Sequence, residues 1–274
     1  MTDRYAVTGH PLGHTKSPFI HTSFARSTGQ DMEYLAIEAA PGSFRETAEA
    51  FRASGGRGLN ITAPFKLDAF AFATEHSEAA RLAGAANALS FDDDGRIRAE
   101  NFDGVGLVND VQRNLGLALA CKRVLMLGAG GAARSALLPF LAQGPAAFVL
   151  VNRDTAKARE LAARVAGAGP ITAAGYDELG DAPFDLVLNA TSASLRAELP
   201  PVPPGVFAGH TLAYELAYGK GLTPFLALAR QAGAARLADG VGMLVEQAAE
   251  AFAWWRGVRP ATGEVIRALT VPLA

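Results

Sequence analysis

Across 274 residues there is a single cysteine, Cys121, which excludes an intrachain disulfide and a zinc site built from several thiolates. An excess of positive charge is also missing. Lys and Arg total 25 against 27 Asp and Glu, so the chain lacks the electrostatic footprint of a phosphate-backbone binder, and no nucleic-acid partner is expected. No uninterrupted apolar run approaches the roughly 20 residues that cross a bilayer, and the opening MTDRYAV carries charges where an export leader would be apolar. The expectation is a cytoplasmic protein without a membrane partner. The five histidines have no metal-ligand spacing, even in GHPLGHTKSPFIH (residues 9–21), so no metal is expected, and His10, His14 and His21 read as polar groups of a loop or helix. Repeats and low-complexity tracts are absent as well.

What is present is apolar substance, at 50% of residues, in a chain near the length at which one core divides into two. The first half reads as mixed α and β. Tyr5-Ala6-Val7 is a strand, and Ser17 as N-cap with Pro18 behind it opens a helix over 19–27. Ser43 opens another over 44–53, where Phe44, Ala48 and Phe51 recur at helical spacing. Residues 59–62 alternate with period two, placing Asn60 and Thr62 on one face of a strand that Pro64 ends. Residues 88–91 and 96–100 flank Asp92-Asp93-Asp94-Gly95 as a hairpin. From Lys122 the rhythm changes to short apolar runs at 124–127, 148–151, 184–188 and 211–216, each followed by an amphipathic stretch, which predicts a parallel sheet covered on both faces. Residues 200–204 read as a Pro-rich loop. A long apolar helix over 242–255 is expected to return to the first half and bury Phe252 and the two Trp.

The sharpest local chemistry is VLMLGAGGAARSALLPFL, residues 124–141. A strand runs into Gly128-Ala129-Gly130-Gly131-Ala132-Ala133 and a helix follows, the G-x-G-x-x-A form of the dinucleotide fingerprint. Gly128 permits the tight turn, Gly130 lets a pyrophosphate approach the backbone, and Ala133 allows the helix to pack closely on the strand. The helix start then offers free N–H groups to the phosphates. After the next strand come Asn152, Arg153 and, one turn on, Lys157. Basic groups there accommodate a 2′-phosphate and favour NADP(H), whereas NAD sites commonly place a carboxylate. Asp154 keeps NAD open as an alternative, unless it is the N-cap of the helix over 155–165.

In the first half, Lys66 follows the Pro64 break and Asp103 begins a helix. Hydride transfer between a carbonyl and an alcohol needs a group that gives and takes the hydroxyl proton, which a Lys/Asp pair can do. Spacing does not bring the two together, and a solvated lysine and a helix-capping aspartate are the plain alternatives.

Nine stretches, GHPLGHTKSPFIH, NITAPFK, GAANAL, NFDGVGL, GAGGAAR, VNRDTAKARELA, NATSASL, ELAYGKGLTPFL and DGVGMLVEQAA, follow one another in the order seen in shikimate dehydrogenases, which the chain resembles along nearly its whole length. The resemblance implies an α/β fold in two parts. Residues 1–103, joined by the C-terminal helices 240–274, would form the α/β substrate domain, residues 104–239 a Rossmann-type, doubly wound parallel-sheet NADP domain, with the catalytic cleft between them. It implies reversible NADPH-dependent reduction of 3-dehydroshikimate to shikimate in aromatic amino-acid biosynthesis, by a monomer or homodimer. Two alternatives stand beside it: an NAD-using quinate/shikimate dehydrogenase, and a catalytically silent nucleotide-binding sensor of the same fold.

Matched motif by motif, the resemblance places Thr15 and Ser17 on the substrate carboxylate, Asn60, Thr62, Asn87 and Asp103 around its hydroxyls, and Lys66 as catalytic lysine beside Asp103. Tyr218 and Gln247 fall on later substrate contacts. On the cofactor side, Gly128, Ala129, Gly130, Gly131 and Ala132 match the phosphate loop, Asn152, Arg153 and Lys157 the adenosine-phosphate clamp, and Leu216 and Gly240 positions near the nicotinamide. The chain departs from the family pattern at five places. Thr15 stands where Ser is usual, Ala88 and Phe102 each replace a Thr, Asp154 replaces a residue that is often Thr, and Ala193-Ser194 stands for Ser-Gly.

Overall fold

A computed structural model describes residues 2–273, apart from the side chain of Leu195, the last residue of the NATSASL match. The first half runs β1 (Asp3–Gly9), α1 (Ser17–Thr28), β2 (Met32–Glu38), α2 (Phe44–Ala53), β3 (Gly56–Ile61), α3 (Lys66–Phe72), β4 (Glu75–His76), α4 (Glu78–Ala83), β5 (Ala88–Phe91), β6 (Ile97–Glu100) and α5 (Asp103–Asn109). Its six strands form one mixed sheet in the order β2-β1-β3-β5-β6-β4, with β1 parallel to β2 and β3, and β5 antiparallel to β3 and β6. Alternation puts Leu59, Ile61 and Leu89 into a core with Phe44, Phe51 and Phe65.

Two local expectations change here. Ser17 is the first residue of α1 and not its cap: Lys16 holds the N-cap position in a right-handed helical conformation, from which no side chain caps. The Ser17 hydroxyl is thereby left to Thr15 and Tyr34. The strand ends at Ile61, so Thr62 belongs to the turn that follows; its N–H still bonds to Thr8 O at 3.0 Å, while its own carbonyl accepts from Phe65 N at 3.1 Å.

The second half supplies β7 (Arg123–Leu127), α6 (Gly131–Leu141), β8 (Ala147–Val151), α7 (Thr155–Ala163), β9 (Ile171–Ala174), β10 (Leu186–Asn189), β11 (Leu212–Glu215), α8 (Pro224–Gln231) and β12 (Arg236–Asp239). All its ladders are parallel, in the order β12-β11-β10-β7-β8-β9. Counted along the chain that is the 3-2-1-4-5-6 order of the dinucleotide-binding fold. The strand expected over 184–188 sits two residues later at its start, because Phe184 N–H bonds to Val206 O outside the sheet. The edge strands β9 and β12 are four residues each and carry no apolar run to announce them.

Two helices close the chain, α9 (Val241–Arg256) and α10 (Gly263–Leu269). The residues group into two compact units, one from the start through Gly106 with Val245–Val265, the other Leu107–Leu244 with the residues from Ile266 on. The end of the chain, expected with the first unit, thus groups with the second, where Leu273 packs on the core of Phe225 and Val206. Most of α9 belongs to the first unit. There Trp255 stacks on Tyr5 with ring centroids 4.7 Å apart and donates its indole N–H to Leu89 O, while Phe252 meets Phe24 edge-on. Among the described residues no helix is long and apolar enough to cross a membrane.

Candidate active site

In the first unit, the ends of several elements converge on one hydrogen-bonded ring. Lys66 opens α3 and Asp103 opens α5, and Lys66 Nζ lies 2.6 Å from Asp103 Oδ2. The other carboxylate oxygen, Oδ1, accepts from Asn87 Nδ2 at 2.8 Å. Asn87 also donates to Gln247 Oε1 at 3.1 Å and accepts Phe102 N–H at 2.8 Å, which fixes its amide orientation. Asn60 Nδ2 reaches Asn87 O at 3.4 Å. Gly106 is what lets α9 come this near: a Cβ there would stand 2.6 Å from Gln247 N. The aspartate is mostly buried while a third of the lysine side chain is exposed, so the pair is held from behind and open in front.

A second arm runs from Asn60 to the start of α1. Tyr34 on β2 is buried and donates its hydroxyl to Asn60 Oδ1 at 2.6 Å. Burial holds this phenol protonated well above the usual tyrosine range, opposed by a hydrogen bond with Ser17. Ser17 Oγ in turn lies 3.4 Å from Thr15 Oγ1, which also receives Ser17 N–H. The loop carrying Thr15 is tied down by Glu38, whose carboxylate accepts Leu12 N–H and pairs with His10 Nδ1 at 3.0 Å. Behind Tyr34 lies His21, fully buried, its ring parallel to the phenol at 4.1 Å. Tyr34 and Glu38 carried no motif that would single them out, and His21, within GHPLGHTKSPFIH, was read only as a polar group of a loop or helix.

In the second unit, β7 runs into Gly128, whose φ of +103° only glycine adopts freely. Gly130 is the N-cap of α6, and nothing lies within 4 Å of where a Cβ on Gly130 or Gly131 would sit. The two glycines therefore leave room for a pyrophosphate to approach the backbone at this helix start. Asn152 Oδ1 accepts Ala129 N–H at 3.3 Å, joining the β8 end to the glycine loop. Arg153 and Lys157 are exposed on the same segment. Asp154 is the N-cap of α7: Oδ1 accepts Lys157 N–H at 3.4 Å, and Oδ2 lies 3.9 Å from Lys157 Nζ. A 2′-phosphorylated dinucleotide fits this loop, with its glycines, helix start and two cations. Gly240 packs so closely on Leu216 that any side chain would collide with its carbonyl. Tyr218, partly exposed, groups with this unit, whereas Thr15, Ser17, Asn60, Thr62, Lys66, Asn87, Asp103 and Gln247 all group with the first.

Three family profiles match the chain: the shikimate dehydrogenase substrate binding domain over residues 7–89, shikimate / quinate 5-dehydrogenase over 110–197, and the shikimate 5′-dehydrogenase C-terminal domain over 240–270. The chain belongs to the shikimate dehydrogenase family. It is 55% identical over 266 residues to the shikimate dehydrogenase (NADP(+)) of Nitrosospira multiformis, covering 97% of this chain and 96% of that one. It is 53% identical to the shikimate dehydrogenase (NADP(+)) of Chromobacterium violaceum over the whole of both chains. Among solved structures it matches an Ael1 enzyme from Pseudomonas putida at 60% identity and TM-score 0.96, covering 99% of this chain and all of that one.

Proposed function

We propose that the polar ring of the first unit is where this chain carries out the family's reaction, the reversible NADP-linked reduction of 3-dehydroshikimate to shikimate in aromatic amino-acid biosynthesis. The chain is an oxidoreductase acting on a small-molecule substrate, and that biosynthetic role suits a cytoplasmic enzyme. The observation that carries the residue assignment is the Lys66–Asp103 contact inside a ring of amide groups.

NADPH, when bound, supplies the hydride that adds to the C3 carbonyl carbon. Lys66 gives the proton to the carbonyl oxygen, and in the reverse direction its amine takes the proton of the C3 hydroxyl. Asp103 accepts from the Lys66 ammonium and restrains it to one direction, while Asn87 holds the second carboxylate oxygen. Thr15 and Ser17 receive the substrate carboxylate at the start of α1, where two hydroxyls and the positive end of the helix dipole favour an anion. Asn60, Thr62 and Gln247 face the substrate hydroxyls, and Tyr218 is assigned to the substrate from its motif. Fixing the reacting groups in this way removes much of the entropic cost of their meeting.

For the cofactor, Gly128, Ala129, Gly130, Gly131 and Ala132 hold the pyrophosphate, Asn152, Arg153 and Lys157 the phosphorylated ribose, and Leu216 and Gly240 shape the nicotinamide end. Asp154 spends its acceptor on the α7 cap while Arg153 and Lys157 stay exposed beside it, which supports NADP over NAD. The test is a spectrophotometric comparison of NADPH and NADH with 3-dehydroshikimate, beside NADP+ and NAD+ with shikimate and quinate. Oxidation of NADPH alone is expected. Equal use of NADH with quinate turnover would move the chain to the NAD-using reading, and no oxidation of either cofactor would leave only the silent sensor.

A further inference from the structure

Glu215 ends β11 with its side chain fully buried. Oε2 accepts from Asn189 Nδ2 at 2.9 Å, from the Thr223 hydroxyl at 3.2 Å and from the Ser194 hydroxyl, and Oε1 accepts Ala217 N–H at 3.3 Å. Burial pushes this carboxyl above the usual glutamate range, and the same donors pull it back. Two N–H groups and two hydroxyls thus converge on one buried carboxyl.

The carboxylate acts on a loop that leads to the nucleotide fingerprint. Asn189, which ends β10, uses its amide oxygen to accept both the N–H and the hydroxyl of Thr191, at 3.2 and 2.7 Å. Ala190 O and Thr191 Cγ2 lie 3.0 and 3.2 Å from where a Cβ on Gly128 would be. Ala190 and Thr191 are therefore one wall of the glycine turn, at the carboxyl ends of β7 and β10. The strand order reverses there, where open parallel sheets bind their ligands. The Ser194–Glu215 bond ties the loop to the end of β11.

We propose that Ser194 and Glu215 are positioning residues for the dinucleotide: Glu215 anchors Asn189, Ser194 closes the loop over the same carboxylate, and together they hold the wall at Thr191 against the Gly128 turn. The proposal rests on the NADP-linked reading above.

Calorimetric titration of wild type, Ser194→Ala and Ser194→Thr with NADP+ tests it, with amide hydrogen exchange at Thr191 and Ala217 in the cofactor-free protein. Ser194→Ala is expected to weaken NADP+ binding several-fold, because the loop order that the Ser194–Glu215 bond supplies must then be gained on binding. It should also speed exchange at both amides and lower the melting temperature, because a buried hydrogen bond is lost, while leaving the affinity for shikimate alone unchanged. Ser194→Thr keeps the hydroxyl and should bind like wild type. Glu215→Gln, whose amide turns an N–H toward the converging donors, should lose more. Equal NADP+ affinity in wild type and Ser194→Ala overturns the positioning role, as does a matching loss of shikimate affinity. A wild-type protein that takes up no NADP+ overturns the functional reading as well.

Discussion

Lys66 Nζ lies 2.6 Å from Asp103 Oδ2, although the two residues open different helices. In the proposed mechanism Lys66 moves the proton and Asp103 aims it. Replacing Lys66 by Met is expected to lower kcat for shikimate oxidation by roughly 10²- to 10⁴-fold, the range of general acid–base catalysis. The KM for NADP+ should change little. Asp103→Asn should fall in the same range while keeping its contact with Asn87. Turnover by Lys66→Met near that of wild type would remove Lys66 from the proton-transfer step.

The Thr15–Ser17 pair predicts how the substrate carboxylate is bound. Thr15→Val keeps the shape and loses the hydroxyl, so the KM for shikimate should rise about tenfold or more, as expected for one hydrogen bond to a charged group. Thr15→Ser restores the residue usual in the family and should leave KM within a few-fold. Initial rates over a shikimate series decide it; equal KM values for Val and Ser would show that the Thr15 hydroxyl does not touch the carboxylate.

Cofactor choice turns on Arg153 and Asp154. Arg153→Gln should raise the KM for NADP+ about ten- to a hundredfold with little change for NAD+, because only the first carries the 2′-phosphate. Asp154→Ser keeps an N-cap for α7 and removes a negative charge, so NADP+ should bind more tightly at unchanged thermal stability. Asp154→Ala removes the cap too and should cost about 1 kcal/mol of stability. If Asp154→Ser leaves the NADP+/NAD+ ratio of kcat/KM where it was, the carboxylate plays no part in selectivity.

His21 predicts an acid limb in the stability of the fold. Burial pulls its imidazole from 6.5 down to about 3, so the folded protein holds it neutral while the unfolded chain takes up a proton. This stability is complete above about pH 6.5 and is lost as pH falls toward 3, on the order of 4–5 kcal/mol across the window. His21→Phe keeps an aromatic ring against Tyr34 and cannot titrate. Denaturant melts between pH 7 and 4 should show a shallower decline for the variant than for wild type, and parallel curves would mean that His21 finds its proton in the fold after all.

Several features were legible because they depend on neighbours in the chain. The Gly128 turn, the α6 start, the hairpin of β5 and β6 and the Asp154 cap each follow from backbone sterics or local hydrogen bonding. Where a local rule failed, another local contact had won, as at Ser17, whose hydroxyl sits beside Thr15 with Lys16 in the cap position. Asn189 and Glu215 lay inside recognised motifs with no role of their own, since nothing near them in sequence shows that they touch.

By itself the sequence determined the alternation of elements, the dinucleotide loop and, through its ordered motifs, the family. The tertiary structure alone decided that Lys66 meets Asp103 across 37 positions, that Tyr34 supports Asn60 across 26, and that Asn87 meets Gln247 across 160. Secondary structure is set by interactions a few residues long, and those the chain displays openly. Contacts between strand ends and helix starts depend on how the sheets order and the core packs, and only the folded backbone brings such groups within hydrogen-bonding distance.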